Sequence, residues 1–173
     1  MIEEMVDVVD EYNRYVRKAT RWEVREKALL HKAVRVFVID NEEKLLVKKR
    51  SADKDIYPSY WEFGVGETVT RDERYESAAI RGLDEELGII YVSNIQLIRS
   101  FLFKLKYRSP NYNANFKVYR HLHNGKLKLA QEETEAAKFL TASEVKKLIE
   151  QGLFEPTSAE AFEKYLEINE GKK

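Results

Sequence analysis

The chain of 173 residues contains no cysteine, which excludes disulfides, thiolate zinc sites and a cysteine nucleophile, and which suits a reducing compartment. It also has no net charge. Its 30 basic and 30 acidic side chains cancel, so no overall field draws it to a nucleic-acid polymer or an anionic membrane, and any anion must be recognised locally. No stretch approaches the ~20 apolar residues of a membrane span. Met1 to Arg17 is acidic and mixed rather than basic then apolar, so a soluble, unprocessed, cytoplasmic chain is expected. Repeats, low-complexity tracts and Pro/Gly-rich linkers are missing too, and residues 1–173 read as a single domain with an N-terminal extension over residues 1–30. What is present is 43% hydrophobic residues, which at this length suffices to bury roughly two-thirds of the unfolded surface around one core.

The β-branched segment Glu4 to Asp10 is compatible with a short strand, and Arg21 to Leu30 with a short amphipathic helix. From Lys32 to Ile39 the run KAVRVFVI predicts a strand, Asp40 to Glu43 a turn, and Lys44 to Lys49 the returning arm of a hairpin. After a loop containing Asp53 to Pro58, a strand is predicted at Trp61 to Val65, with an N-cap offered by Thr70 to Asp72. A central helix should follow from about Arg74 to Leu87, with Ala78, Ala79 and Leu83 for packing and Gly88 as its C-terminal stop. Strands are expected at Ile95 to Lys106, Asn115 to His123, Lys126 to Leu129 after the Asn124-Gly125 turn, and Lys138 to Leu140. Helices at Ser143 to Gln151 and Ser158 to Ile168, within residues 142–170, close the chain. The pattern implies an α/β class, a mixed sheet between helical layers.

The window GVGETVTRDERYESAAIRGLDEELGI, residues 64–89, combines a glycine-containing loop, a helix start and charges on one helical face. At about 100° per residue, positions 82, 85 and 86 share a face and Arg81 lies beside Glu85, so Glu85 and Glu86 can aim their oxygens at one point. Mg²⁺ and Mn²⁺ prefer such hard oxygens and, once bound, bridge to phosphate oxygens and polarise phosphorus. For an acidic helix taken alone, the competing reading is a solvated face with i,i+4 ion pairs.

The same window resembles the Nudix box, G-x5-E-x7-R-E-U-x-E-E-x-G-U, with Glu73, Arg81, Leu83, Glu85, Glu86, Gly88 and Ile89 at the required spacings. Outside the box, LHKAVRVFVID, KLLVKKRSADKDIYPSYWEF, EETEAAKFLTASEV and LFEPTSAEAF are similar to the branch that groups with isopentenyl diphosphate isomerase. This resemblance implies a Nudix fold, an α/β/α sandwich with a mixed central β-sheet. It also implies attack of water on the diphosphate of a nucleoside diphosphate linked to another moiety, assisted by Mg²⁺ or Mn²⁺. Metal is then expected at Glu85, Glu86 and the backbone carbonyl of Glu67, and catalysis from Glu86, Glu133 and Arg81. Glu73 would pair with Arg81 to brace the loop, with Gly66 and Gly88 as structural positions. The partner is a small-molecule diphosphate, and a homodimer is one assembly left open.

Two positions depart from the box. Its first glycine is Glu67, with Gly66 just before it, and the first glutamate of R-E-x-x-E-E is Gly82, where several family members bind metal or hold a general base. Gly82 also costs the helix roughly 1 kcal/mol relative to alanine, and Asp84, two residues along, turns away from the gap. Glu132 and Glu133 precede the strand at Lys138, where many Nudix enzymes recruit a further carboxylate; Glu133 matches best, and an ordinary exposed acidic loop is the competing reading. A second function follows from Gly82, a catalytically weak or inactive Nudix domain that binds nucleotide or a partner. A third, allylic isomerisation, conflicts with the missing cysteine, in whose place Gly66 stands. His31 reads as a structural strand-edge histidine, and His121 and His123 as surface residues that share one side of a strand. Trp61, Tyr57 and Tyr60 read as core aromatics that are also able to stack on a ring. Lys48, Lys49 and Arg50 are candidates to meet phosphate charge, with alternation sending neighbours to opposite faces.

Overall fold

The computed structural model describes residues 3–54, 56–90 and 100–170. In chain order these form β1 (Met5–Val9), β2 (Tyr15–Thr20), α1 (Arg21–Glu26), β3 (His31–Ile39), β4 (Leu45–Arg50), β5 (Trp61–Phe63) and β6 (Val65–Thr68). There follow α2 (Tyr75–Leu87), β7 (Ser100–Arg108), β8 (Asn113–Leu122), β9 (Thr134–Leu140), α3 (Ala142–Glu150) and α4 (Pro156–Glu170).

Strand β3 organises the rest. Its β-branched run is buried on both faces, as a central strand between helical layers must be. Period-2 alternation sends Ala33, Phe37 and Ile39 into one apolar cluster with Val145 of α3 and Phe162 of α4. It sends Val34, Val36 and Val38 into the other, with Ala78, Ala79, Leu83 and Leu87 of α2. The result is the expected α/β/α sandwich, and each fully buried Leu or Phe in it contributes roughly 1.5–3 kcal/mol. The sheet is mixed because β3 runs parallel to β8 from His31↔Ala114 to Ile39↔Leu122 and antiparallel to β6.

The hairpin between β3 and β4 closes at Ile39↔Leu45, and from there the two strands diverge. Residues 61–68 fill the gap. β5 pairs with β4 and β6 pairs with β3, so the expected single strand over Trp61 to Val65 is two strands, and the chain steps from one to the other at Gly64. Gly64 has φ +29°, donates its N–H to Leu46 O at 3.0 Å, and leaves no room for a Cβ against Val36 O.

The structure differs elsewhere too. β1 gains an unforeseen partner, β2, and with Ala19, Val24 and Leu29 they form a small separate apolar cluster. The helix expected to reach Leu30 stops at Glu26. Lys126 to Leu129 forms no strand; Lys128 donates its N–H to Leu87 O at 2.9 Å and packs this segment along the end of α2. β9 starts at Thr134, four residues before the expected Lys138. The part of the expected strand at 95–99 lies outside the described residues. Among the described residues no helix is long and apolar enough to cross a membrane.

Candidate active site

Strand β6, the following loop and α2 form one braced unit. Gly88 ends the helix with φ +64°, in the left-handed region that glycine tolerates, as its position after the last apolar residue foretells. At the other end the expected cap differs: Arg74 stands at the N-cap with no side-chain bond, and Thr70 turns instead to Glu73, giving Glu73 Oε2 its N–H at 3.0 Å and its hydroxyl at 2.9 Å. Arg81 then grips the same carboxylate from the second turn of the helix, Nε to Oε1 at 3.0 Å and Nη2 to Oε2 at 3.1 Å. Its Nη1 reaches Glu67 at 3.0 Å and Glu85 at 3.3 Å, and Nη2 also meets Thr68 O at 3.1 Å. A planar guanidinium with five donors in a rigid fork suits this role, and lysine does not.

The electrostatics follow from that crowding. Burial disfavours the Arg81 charge, yet the carboxylates of Glu73 and Glu67 outweigh it and raise its pKa. For Glu67, burial dominates and raises the carboxyl above its usual range, against the attraction of Arg81 and Arg21 and with help from the like charge of Glu85. Glu133 is the opposite case: burial opposes ionisation, but the hydrogen bond from Lys54 at 2.7 Å, with Lys48 and Arg21 nearby, lowers it.

Glu85 and Glu86 stand in different surroundings, which a helical wheel does not foresee. Glu85 faces solvent, 58% exposed, on Arg81; Glu86 turns under the helix, 4% exposed, and pairs with Lys48 through Oε2 while its Oε1 is buried without a partner. The reason lies in β4: alternation puts Lys48 on the α2 side of the sheet beside Leu46, and a buried ammonium demands a carboxylate. Lys48 also pairs with Glu62 at 3.0 Å. Lys49 turns outward to Glu135 at 2.8 Å, and Arg50 binds Glu62 at 3.2 Å.

Sequence reasoning passed over the most connected buried group. Arg35 lies 5% exposed on the α4 face, bonded to Glu62 at 3.4 Å, Glu155 at 3.1 Å and Thr157 at 2.7 Å. Glu155 in turn accepts the backbone N–H groups of Thr157 and Ser158, each at 2.9 Å, at the first turn of α4. A signal was available, since an arginine in the middle of the doubly buried run KAVRVFVI must have an internal partner. Three cations, Arg35, Lys48 and Arg50, thus share three carboxylates, Glu62, Glu86 and Glu155.

Arg35 and Arg50 also line a cavity of about 90 Å³ with Arg21, Arg25, Tyr57, Gly66, Thr68 and Glu155. It adjoins a cleft of about 790 Å³ that shares Arg21, Arg25, Ile56, Tyr57 and Tyr112. Arg21, ion-paired with Glu4 at 2.7 Å, further borders the hollow formed by Glu73, Arg81 and Glu85, so the arginine-lined cleft and the acidic rim lie on either side of that pair. A Cβ on Gly66 would stand 2.8 Å from Arg35 Nη1, which is why that position is bare.

The remaining candidates fall outside this arrangement. His31 is buried, donates from Nδ1 to Leu29 O at 2.9 Å, and is held by burial at a pKa of about 4. His121 is buried rather than at the surface, and its ring lies 6.0 Å from that of His123. Tyr57, Tyr60 and Trp61 are half-buried rather than core; Lys138 sits 4.5 Å over the Trp61 ring. Among the described residues no three His, Asp or Glu side chains converge into a ready metal cage.

The NUDIX domain family model matches residues 29–164. An uncharacterized Nudix hydrolase of Escherichia coli K12, YfcD, is 30% identical over 166 residues, covering 96% of this chain and 88% of that one. SCO1686 of Streptomyces coelicolor, another uncharacterized Nudix hydrolase, is 34% identical over 101 residues, and the match spans 58% of this chain and 56% of that relative. Among solved structures, DR0079 from Deinococcus radiodurans superposes with a TM-score of 0.76 over 93% of this chain and 98% of its own, at 21% identity. A bifunctional NMN adenylyltransferase/ADP ribose pyrophosphatase from Francisella tularensis, complexed with AMP and a Mn ion, gives 0.62 over 78% of this chain and 40% of that one, at 18% identity. At these identities the two structures speak for the fold.

Proposed function

The chain belongs to the Nudix superfamily, whose hydrolases generally use divalent metals, and from that premise we propose that it hydrolyses the diphosphate of a nucleoside diphosphate linked to another moiety, with Mg²⁺ or Mn²⁺. One observation carries the proposal: Arg21 borders both the arginine-lined cleft and the rim where Arg81 gathers Glu67, Glu73 and Glu85. An anionic diphosphate laid along the cleft would reach the hard oxygen donors that Arg81 gathers.

The donor chemistry suits the ion. Glu85 is exposed, and Glu86 keeps a buried oxygen with no partner, which is an unusual cost for a fold to carry without a ligand. With the Glu67 carbonyl they would hold it, since Mg²⁺ is bound by one or two carboxylates and completes its shell with water and phosphate oxygens. A bound ion supplies Lewis-acid polarisation of the phosphoryl group. The protein's own groups do the rest. Arg81 holds Glu85 and Glu67 in place, Glu73 holds Arg81, and the cavity arginines orient the phosphates. Glu133, ionised and half-exposed, would take the proton of the attacking water.

The test is a panel of nucleoside-diphosphate-linked compounds incubated with Mg²⁺ or Mn²⁺ and followed by ³¹P NMR. Hydrolysis by the wild type that is abolished in Glu85→Gln supports the proposal; no turnover of any member would remove it. A second reading, a binding domain with little or no turnover, draws support from Lys48, which already occupies one oxygen of Glu86. Nucleotide binding by calorimetry without hydrolysis would select it.

A further inference from the structure

The two departures from the Nudix box touch each other. Gly82 lies buried where α2 crosses β6, and a Cβ built on it would overlap Val65 Cγ1 and stand 2.5 Å from Glu67 Cγ. The side chain of Glu67 therefore runs through the space that a side chain at position 82 would fill. At position 67 the box has glycine and this chain has glutamate; at position 82 the box has glutamate and this chain has glycine. The side chain lost from the helix is matched by one gained on the strand, in the same space beside Val65.

We infer that Glu67 supplies from β6 the carboxylate that the box otherwise supplies from α2, so that the site has exchanged its glycine and its glutamate rather than lost a ligand. The inference rests on the metal-dependent reading above. It concerns the carboxylate side chain of Glu67, beyond the backbone carbonyl that the resemblance implies. Three observations support it. Glu67 Oε2 is held at 3.0 Å by Nη1 of Arg81, the nitrogen that also holds Glu85, so both carboxylates face one point on the rim. The Glu67 side chain is 10% exposed and sits between Gly66 and Thr68, which line the arginine-rich cavity, and Arg81, which borders the acidic hollow. Glu86, one turn after Gly82 on the same buried face, keeps an oxygen without a partner in the same helix–sheet interface.

The coupling makes a sharp demand. A side chain at 82 would press on both Val65 and Glu67, so restoring glutamate there alone should damage the protein, and also removing the Glu67 side chain should repair the share of the damage that Glu67 causes. Two readouts are needed, Mn²⁺ binding followed by electron paramagnetic resonance and the melting temperature of the metal-free protein. Glu67→Gln, which keeps the shape, should melt close to wild type and bind Mn²⁺ roughly 10–100-fold more weakly. Gly82→Glu alone should lower the melting temperature by roughly 2–12 °C, the cost of overpacking a core of this size. The double variant Glu67→Gly with Gly82→Glu should regain part of that loss, the contact with Val65 remaining, and recover Mn²⁺ affinity.

Wild-type affinity in Glu67→Gln would overturn the exchange while leaving the metal-dependent hydrolase standing. So would a double variant whose melting loss equals the sum of its two single variants. A wild type that takes up no Mn²⁺ at all, with or without AMP, would overturn both.

Discussion

Glu62 is the group on which the buried charges converge, and removing its charge should unfold the protein earlier in a pH-dependent way. It is 5% exposed and accepts from Lys48, Arg50 and Arg35. Burial alone would raise its pKa, but Lys48, Arg35 and Arg50 together hold it down from 4.5 to about 2. Glu62→Gln keeps the shape, turns one oxygen into a donor facing donors, and leaves three cations with the two carboxylates Glu86 and Glu155. Breaking a buried pair in this manner costs roughly 3–5 kcal/mol, which for a chain of this length is a fall of roughly 6–20 °C in melting temperature.

Linkage gives an independent figure. The native carboxylate is ionised down to about pH 2, and the unfolded one only down to about 4.5. Its contribution is therefore complete above pH 4.5, declines as the pH falls through that interval and is absent below 2. At about 1.4 kcal/mol per pH unit the interval is worth on the order of 3 kcal/mol. Urea unfolding of wild type and Glu62→Gln at pH 7, 5, 4 and 3 should show a gap of that order at pH 7 that narrows steadily in acid. A variant within about 1 kcal/mol of wild type at pH 7, or a gap that stays constant to pH 3, would refute the network account.

Other outcomes are as definite. Gly64→Ala forces a Cβ onto Val36 O at φ +29°, and should lower the melting temperature by several degrees, consistent with roughly 1–3 kcal/mol for overpacking and strain. Arg81→Lys keeps the charge but loses the fork that spans Glu73, Glu67 and Glu85; turnover in the ³¹P assay should fall roughly 10–100-fold, and a fall of less than twofold would contradict the bracing role. His31, held at about 4, should show neutral-imidazole chemical shifts by NMR down to pH 5. Because the unfolded ring binds its proton near 6.5, His31 also makes the protein lose stability as the pH falls from 6.5 towards 4, and His31→Phe should flatten that part of the profile.

Where one principle governs a segment, the sequence is readable. KAVRVFVI announces a doubly buried strand, and Gly88 after an apolar periodic run announces the end of α2, because burial and the left-handed turn leave little choice. The loop–helix brace of Glu73 and Arg81 is legible through the resemblance to the Nudix box, which implies that pairing. Residues 61–65 are harder: propensity sees one strand, whereas the gap opened between β3 and β4 demands a crossing at Gly64. The direction of Glu86 depends on Lys48, far away in the chain, and a helical wheel has no access to it. Gly82 and Glu67 each look like a defect when taken singly. Only the packing of α2 on β6 shows that they occupy one volume.

The placement of β3 bears on synthesis. Its longest ladder runs to β8, where His31 meets Ala114, so a nascent chain exposes a β-branched apolar strand until residues near 122 have left the ribosome. Such delayed pairing slows folding and leaves an unprotected edge in the interval. Delayed pairing during translation is therefore an expected cause, beside lost core packing, when variants in β8 fail to accumulate.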